Sequence, residues 1–304
     1  MQSDQNTFEI GRRVLALDVG GSFIKSGLVD ATGLTAEFAP VPLETDADAQ
    51  RIVCAFADVI AAGIHSADGL ITAIGFAVPG PFDYARGISL MTHKLAGING
   101  VDLSAALRAA LPEIKKIPMR FCHDANAFLA GEMWRGTGQG VRRSIGVTLG
   151  TGIGVACWID GVFVNNALGS PAPEVSVWQR SYKGGIVEDS VSTRGLVARY
   201  RQTHPEYSAS DGVKGIADAA KAGNPAALQV FVGLGADLGA VLQPLCEQFR
   251  PEKIIFGGQI AKDFALFEQP LKAALSGVSG GPETVCGQLG NRAALLGAAY
   301  EEFT

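Results

Sequence analysis

The chain has few cysteines and none arranged in a way that could organise it. Five occur in 304 residues, at positions 54, 122, 157, 246 and 286. The number is odd and no two form a C-x-x-C pair, so neither a disulfide framework nor a zinc site is indicated. Buried thiols in a reducing compartment are expected instead. Charge of one sign is not concentrated either: 25 basic residues face 30 acidic ones, net −5, without runs. Nucleic acid or an anionic membrane would need a clustered basic patch, so neither is an expected partner. A small anion stays possible, because backbone N–H groups can bind one. The opening "MQSDQNTFEIGRR" lacks an apolar signal-peptide core, and no later segment offers ~18 charge-free apolar residues to span a membrane. A cytoplasmic protein is the resulting expectation. G-x-x-x-x-G-K-[ST] is also missing, which excludes a P-loop.

What is present is enough apolar material, 47% of the residues, for a sizeable core and one large or two medium domains. Residues 13–19 and 22–29 read as strands, and "DATG" turns into a third at 34–41, giving an antiparallel meander. Asp46 can cap a helix whose apolar stripe includes Ile52, Phe56, Val59 and Ile60. Residues 71–78 form a buried strand closed by "PGPFD"; "VDLSAALRAAL" reads as a helix and "MRFCHD" as a short strand ending at an aspartate. A helix over 125–135 leads to "RRSIGVTLGTGIGVACWIDG", which repeats the opening pattern of strand, glycine turn, strand and D-G turn. Further helices are predicted at 193–202, 212–222 and 226–249. "PEKIIFGGQI" is a strand running into Gly-Gly, and "NRAALLGAAYEEF" closes the chain as a helix. The repeat implies two related α/β domains, 1–120 and 121–290, with helix 291–304 returning to the first.

Three apolar strands therefore end in glycine turns: Gly20-Gly21, Gly150-Thr151-Gly152 and Gly257-Gly258. Without a Cβ, such a turn lets backbone N–H groups approach a phosphate; a tight hairpin alone also selects glycine. "GTGIGV" is not a dinucleotide fingerprint, since it opens a strand and not a helix.

The motifs "LDVGGSFIKSGLVD", "AVPGPFD", "CHDANAFLAGE", "VTLGTGIGVACWIDG" and "IIFGGQI", in this order, resemble those of the ROK family of repressors, open reading frames and sugar kinases, over about residues 13–303. The resemblance implies a two-domain actin-like ATPase (ribonuclease H-like) fold with an interdomain cleft, a homodimer, and ATP with Mg²⁺ as cofactors. It assigns nucleotide phosphates to Asp18, Gly20, Gly21, Ser22, Lys25, Gly150, Thr151 and Gly152, and the nucleoside to Gly257 and Gly258. Asp18 would help organise Mg²⁺, as a hard carboxylate can.

A kinase acting on a hydroxyl needs a carboxylate to take the proton. Asp124 matches the family's catalytic aspartate; read alone, a strand-end aspartate before a helix can equally be an N-cap. By the same resemblance Gly80, His123, Glu174 and Glu188 line the sugar pocket. The two glutamates could also be solvated loop residues, and His123 could merely fill a strand end. Several positions depart from the family pattern. His123 and Lys94 stand where asparagines are usual, Val177 replaces the zinc-binding histidine, and the family cysteines are absent around 182–187. No zinc site is therefore expected, and Trp178 and Tyr182 are candidates to hold that loop by packing. The leading expectation is an ATP- and Mg²⁺-dependent sugar kinase with Asp124 as base. The alternatives are a non-catalytic sugar sensor of the same fold and a polyphosphate-using kinase. A family regulator would need a DNA-binding module of ~60–80 residues before the first turn, where 17 residues precede Asp18.

Overall fold

The computed structural model describes residues 11–67 and 70–304; the opening tail, residues 1–10, lies outside the described residues. The described residues divide into two units, one of residues up to 136 with 165–170 and 291–304, the other of residues 137–164 and 171–290.

In the first unit, β1 (Arg12–Val19) and β2 (Phe23–Asp30) pair antiparallel, and β2 pairs with both β3 (Gly33–Glu37) and β4 (Val41–Pro42). The third strand expected over 34–41 is thus broken in two. Pro40 and Pro42 lack the donor that a continuous ladder needs. Helix α1 (Ala49–His65) is capped by Asp48, whose carboxylate accepts from Arg51 N–H, and not by Asp46. Its stripe of Ile52, Phe56, Val59 and Ile60 is buried as the periodicity requires. β5 (Leu70–Val78) lies parallel to β1. The short strands β6 (Phe82–Asp83) and β7 (Ile88–Ser89) form a hairpin, followed by α2 (Leu103–Ala110). β8 (Met119–His123) adds parallel to β5 and runs directly into α3 (Asp124–Arg135). The path through the sheet is β3-β2-β1-β5-β8.

The second unit repeats this order. β9 (Arg143–Leu149), β10 (Ile153–Ile159) and β11 (Val162–Phe163) form the meander, and β14 (Lys253–Gly257) and β15 (Glu283–Cys286) add in parallel. The order β11-β10-β9-β14-β15 matches the first sheet strand for strand. Between the meander and β14 come the hairpin β12 (Ser181–Tyr182) and β13 (Gly185–Ile186), then α4 (Val187–Val191) and α5 (Thr193–Arg201). Next are α6 (Gly212–Lys221) and α7 (Pro225–Phe249), with α8 (Glu268–Leu275) following β14. By length and composition α7 is apolar enough to cross a membrane. Its inner face, from Ala227 to Phe249, is however buried in this unit's core, and the buried Asp237 interrupts its apolar run.

Residues after β15 return to the first unit as α9 (Arg292–Ala299). α9 and α3 approach closely: a Cβ on Gly131 would strike Ala293 O, and one on Gly297 would strike Ala127 O. Small residues at both positions are what permit this contact. The first unit therefore extends past Arg120 through Gly136, because α3 packs on α9 and β8 completes the first sheet.

Candidate active site

In the first unit the functional candidates gather where strands end. Asp18 stands opposite Lys25 in the β1–β2 register, and Lys25 Nζ donates to Asp18 Oδ2 at 3.0 Å. Burial pushes the Asp18 carboxyl above the usual range; Lys25 opposes that, while the charge on Asp124 adds to it. A carboxylate left under-compensated in this way gains from a further cation. The turn that follows is pinned by Gly20 N–H donating to Phe23 O at 2.9 Å and by Leu43 N–H donating to Ser22 O at 2.9 Å. Gly21 faces outward, and a Cβ there would have nothing within 4 Å. Among the described residues nothing demands a glycine at this position.

At the end of β8, the N-cap of α3 is His123 and Asp124 is the first helical residue. The sequence alone leaves open whether Asp124 is the cap; the strand ends at His123 and the helix starts one residue earlier than an Asp124 cap would need. His123 Nδ1 accepts from Ala125 N–H at 3.2 Å, and Asp124 Oδ1 accepts from the same N–H at 2.7 Å. The Asp124 side chain is 42% exposed, so its second oxygen is open to a ligand. Gly80 is brought to the same place: a Cβ there would lie 3.4 Å from Tyr84 Oη and 3.5 Å from His123 Cδ2. Tyr84 packs edge-on against the His123 ring at 5.9 Å and donates its hydroxyl to Val78 O at 2.9 Å. Burial, followed by the Asp124 charge, pushes the Tyr84 phenol well up. Sequence reasoning missed Tyr84, although "PGPFDY" places it four residues beyond Gly80. The buried Asn126 donates to Asn165 Oδ1 at 2.9 Å, and Tyr84 N–H to Leu168 O at 2.9 Å, which ties segment 165–170 to this unit. Lys94 is exposed and stands in the loop after β7.

In the second unit the turn between β9 and β10 is closed by Gly150 N–H donating to Gly152 O at 3.0 Å. Gly150 O in turn accepts from Thr193 N–H at 2.8 Å and Thr193 Oγ1–H at 2.9 Å, which docks the start of α5 on the turn. Thr193 was not among the sequence candidates; "SVSTRG" offered only a helix-start signal. Glu188 does not stand free in a loop. A Cβ on Gly152 would collide with Glu188 Oε2, and Arg194 holds Glu188 Oε1 at 3.2 Å. Gly258 has a positive φ of 89°, and a Cβ there would overlap the Leu149 backbone. Glycine at 258 is therefore structural as well as open to a ligand. Glu174 is exposed, and its backbone oxygen accepts from Arg180 at 2.7 Å. Val177 is buried in the core of this unit. Among the described residues no group of three or more His, Cys, Asp or Glu side chains could hold a metal ion.

Two units of identical strand order, each with a glycine turn joining its first two long strands, define an actin-like ATPase fold of the ribonuclease H-like type. The chain belongs to the ROK family, whose model matches residues 14–301. A glucokinase from Halalkalibacterium halodurans is 27% identical over 316 residues, covering 95% of this chain and 94% of that protein. A beta-glucoside kinase from Klebsiella pneumoniae is 27% identical over 299 residues and covers 95% of each. The crystal structure of a ROK family glucokinase from Streptomyces griseus in complex with glucose and AMPPNP matches with a TM-score of 0.76 at 26% identity. That match covers 94% of this chain and 98% of the other.

Proposed function

We propose that this protein is an ATP- and Mg²⁺-dependent sugar kinase that phosphorylates a hydroxyl of a hexose or related sugar, with Asp124 as the general base. The observation that carries the reading is the position of Asp124. It is relieved of capping by His123, half-open to solvent, and near enough to Asp18 for its charge to be felt there. Membership of the ROK family and likeness to a glucokinase and a beta-glucoside kinase support the substrate class.

Asp124 Oδ1 is held by Ala125 N–H, which leaves Oδ2 to accept the sugar proton as the hydroxyl attacks. Gly80, His123 and Tyr84 form the wall against which the sugar is placed, and Glu188 and Glu174 are further hydroxyl acceptors. The glycine turns at 20–21 and 150–152 present backbone N–H groups to the phosphates, with Ser22, Lys25 and Thr151 as side-chain donors, and Gly257-Gly258 serves the nucleoside. Asp18 suits a divalent cation, since among the described residues Lys25 is the one cationic partner of its buried carboxylate. When bound, Mg²⁺ supplies charge neutralisation on the transferring phosphoryl group. We further propose a homodimer working in the cytoplasm.

The test is a panel of sugars with ATP and Mg²⁺, scored by ADP release, with polyphosphate as an alternative donor. Sugar-dependent ADP release establishes the kinase. Tight sugar binding without turnover by either donor would instead favour a sensor.

A further inference from the structure

The corner between α4 and α5 brings two opposite charges together. Ser192 is extended, with φ −93° and ψ 174°, and it separates the two helices. In an unbroken helix, residues six apart sit about 9 Å apart along the axis and face different ways. Glu188 and Arg194 are six apart, and across the break Arg194 Nη2 lies 3.2 Å from Glu188 Oε1. The same Nη2 lies 2.8 Å from Asp189 Oδ1, and Arg194 Nε donates to that oxygen at 3.0 Å. Asp189 is fixed in turn, because its Oδ2 accepts from Ile186 N–H at 3.0 Å. The guanidinium is thus anchored on one carboxylate and holds the other.

The second oxygen of Glu188 meets the glycine turn. Gly152 has no Cβ, and Glu188 Oε2 fills the space that a Cβ would take. From the other side of the Ser192 break, Thr193 docks on Gly150 O through its N–H at 2.8 Å and its hydroxyl at 2.9 Å. Residues flanking the corner therefore bear on both glycines of one turn. Among the described residues Arg194 is the one cationic partner of Glu188, whose side chain is 18% exposed. A carboxylate oxygen can accept more than one hydrogen bond, so the hold of Arg194 leaves Glu188 able to accept from a hydroxyl.

We propose that Arg194 is a positioning residue that clamps Glu188 against the Gly150–Gly152 turn and so presents an already ordered carboxylate to a sugar hydroxyl. The inference rests on the reading of Glu188 as a sugar contact. Arg194 itself takes no part in phosphoryl transfer, and its effect passes through Glu188. Without the clamp, the glutamate side chain has rotamers to lose when sugar binds, and that loss is felt in sugar affinity.

The first test needs no turnover. Glucose, mannose and fructose are titrated calorimetrically into the full-length parent, Arg194→Met, Glu188→Gln and the double variant. Arg194→Met keeps most of the aliphatic stem, and its affinity for the best-bound sugar should fall about fivefold, as for an exposed ion pair at the top of its usual range. Glu188→Gln should lose at least about tenfold, the usual effect of a hydrogen bond to a charged acceptor. The double variant should bind within about twofold of Glu188→Gln, because Arg194 then has nothing to position. Losses that multiply, about fiftyfold in the double variant, would show Arg194 acting by itself or through the fold and would overturn the proposal. Parent-like affinity in Arg194→Met would overturn it too.

Steady-state kinetics give the second test. Arg194→Met should raise the sugar KM about fivefold with kcat within about twofold, the pattern of lost uniform binding. A fall in kcat at unchanged KM would place Arg194 in the chemical step and contradict the proposal. If the parent binds sugar without turnover, the kinase reading fails alone and the binding cycle decides the role of Arg194. If the parent binds none of the three sugars, the reading of Glu188 fails and the proposal falls with it.

Discussion

Tyr182 donates its hydroxyl to Asp237 Oδ1 at 2.9 Å, joining the β12–β13 hairpin to the middle of α7 across 55 residues of sequence. Lys183 Nζ reaches the same oxygen at 2.5 Å, and Arg199 of α5 pairs with Oδ2. The hairpin leads straight into Glu188, so this carboxylate fixes the segment that approaches Gly152. Where the family pattern has cysteines and a histidine, this chain has an ion cluster and a buried Val177.

Replacing Asp237 by Ala leaves Arg199 without its partner in a largely buried place. Breaking such a pair costs about 3 kcal/mol here, the low end of the usual range because Lys183 and Arg199 keep some access to water. Urea denaturation of the parent and the variant measures it. A loss below ~0.5 kcal/mol, as for an ordinary surface change, would show that the hairpin is held by packing alone.

The same carboxylate predicts a pH dependence. Burial raises its pKa, but hydrogen bonds from Lys183, Arg199 and Tyr182 outweigh that and hold it below the usual range. Its stabilisation is therefore complete above the unfolded value of about 4 and is lost as pH falls through the folded value. The stability gap between the parent and Asp237→Ala should narrow progressively below pH ~4. A gap constant from pH 7 to pH 3 would contradict this.

The zinc content follows from the same comparison. Elemental analysis of the purified protein should find no stoichiometric zinc, and a chelator should leave the melting temperature unchanged. One tightly bound zinc per chain would mean that the 172–191 loop folds differently from the arrangement described above.

The glycine turns predict two different outcomes. Gly21→Val places its side chain in open space, so folding stability stays within ~0.5 kcal/mol while ATP affinity falls at least tenfold, about 1.4 kcal/mol. Sugar affinity should be kept. Gly152→Val drives a side chain into Glu188, so it should weaken sugar as well as ATP. Calorimetric titration of each ligand separates the two; unchanged ATP binding by a folded Gly21→Val protein would remove that turn from the nucleotide site.

The parts legible in the sequence are those written in local pattern. Alternating runs flanking Gly20-Gly21 and Gly150–Gly152 announced both meanders, and the stripe from Ile52 to Ile60 announced α1. Choices between neighbouring residues were not legible. Asp46 and Asp48 are equally good caps by type, and only the start of α1 selects Asp48. His123 and Asp124 differ by one residue in where β8 ends. The β12–β13 hairpin escaped because two-residue strands carry no periodicity. Asp237 escaped because its partners lie 38 to 55 residues away. The motif resemblance marks Glu188 as a pocket candidate, but its closeness to Gly152 depends on α4 and α5 docking on the turn.

The proposed role of Asp124 in taking the proton of the sugar hydroxyl is tested by Asp124→Asn in single-turnover phosphoryl transfer. His123 holds the cap, so the variant should fold normally and bind ATP and sugar within a few-fold of the parent. Its transfer rate should fall by ~10²–10⁴, the usual cost of losing a general base. A variant that phosphorylates its best sugar at close to the parent rate would contradict the account, because the base would then be another residue.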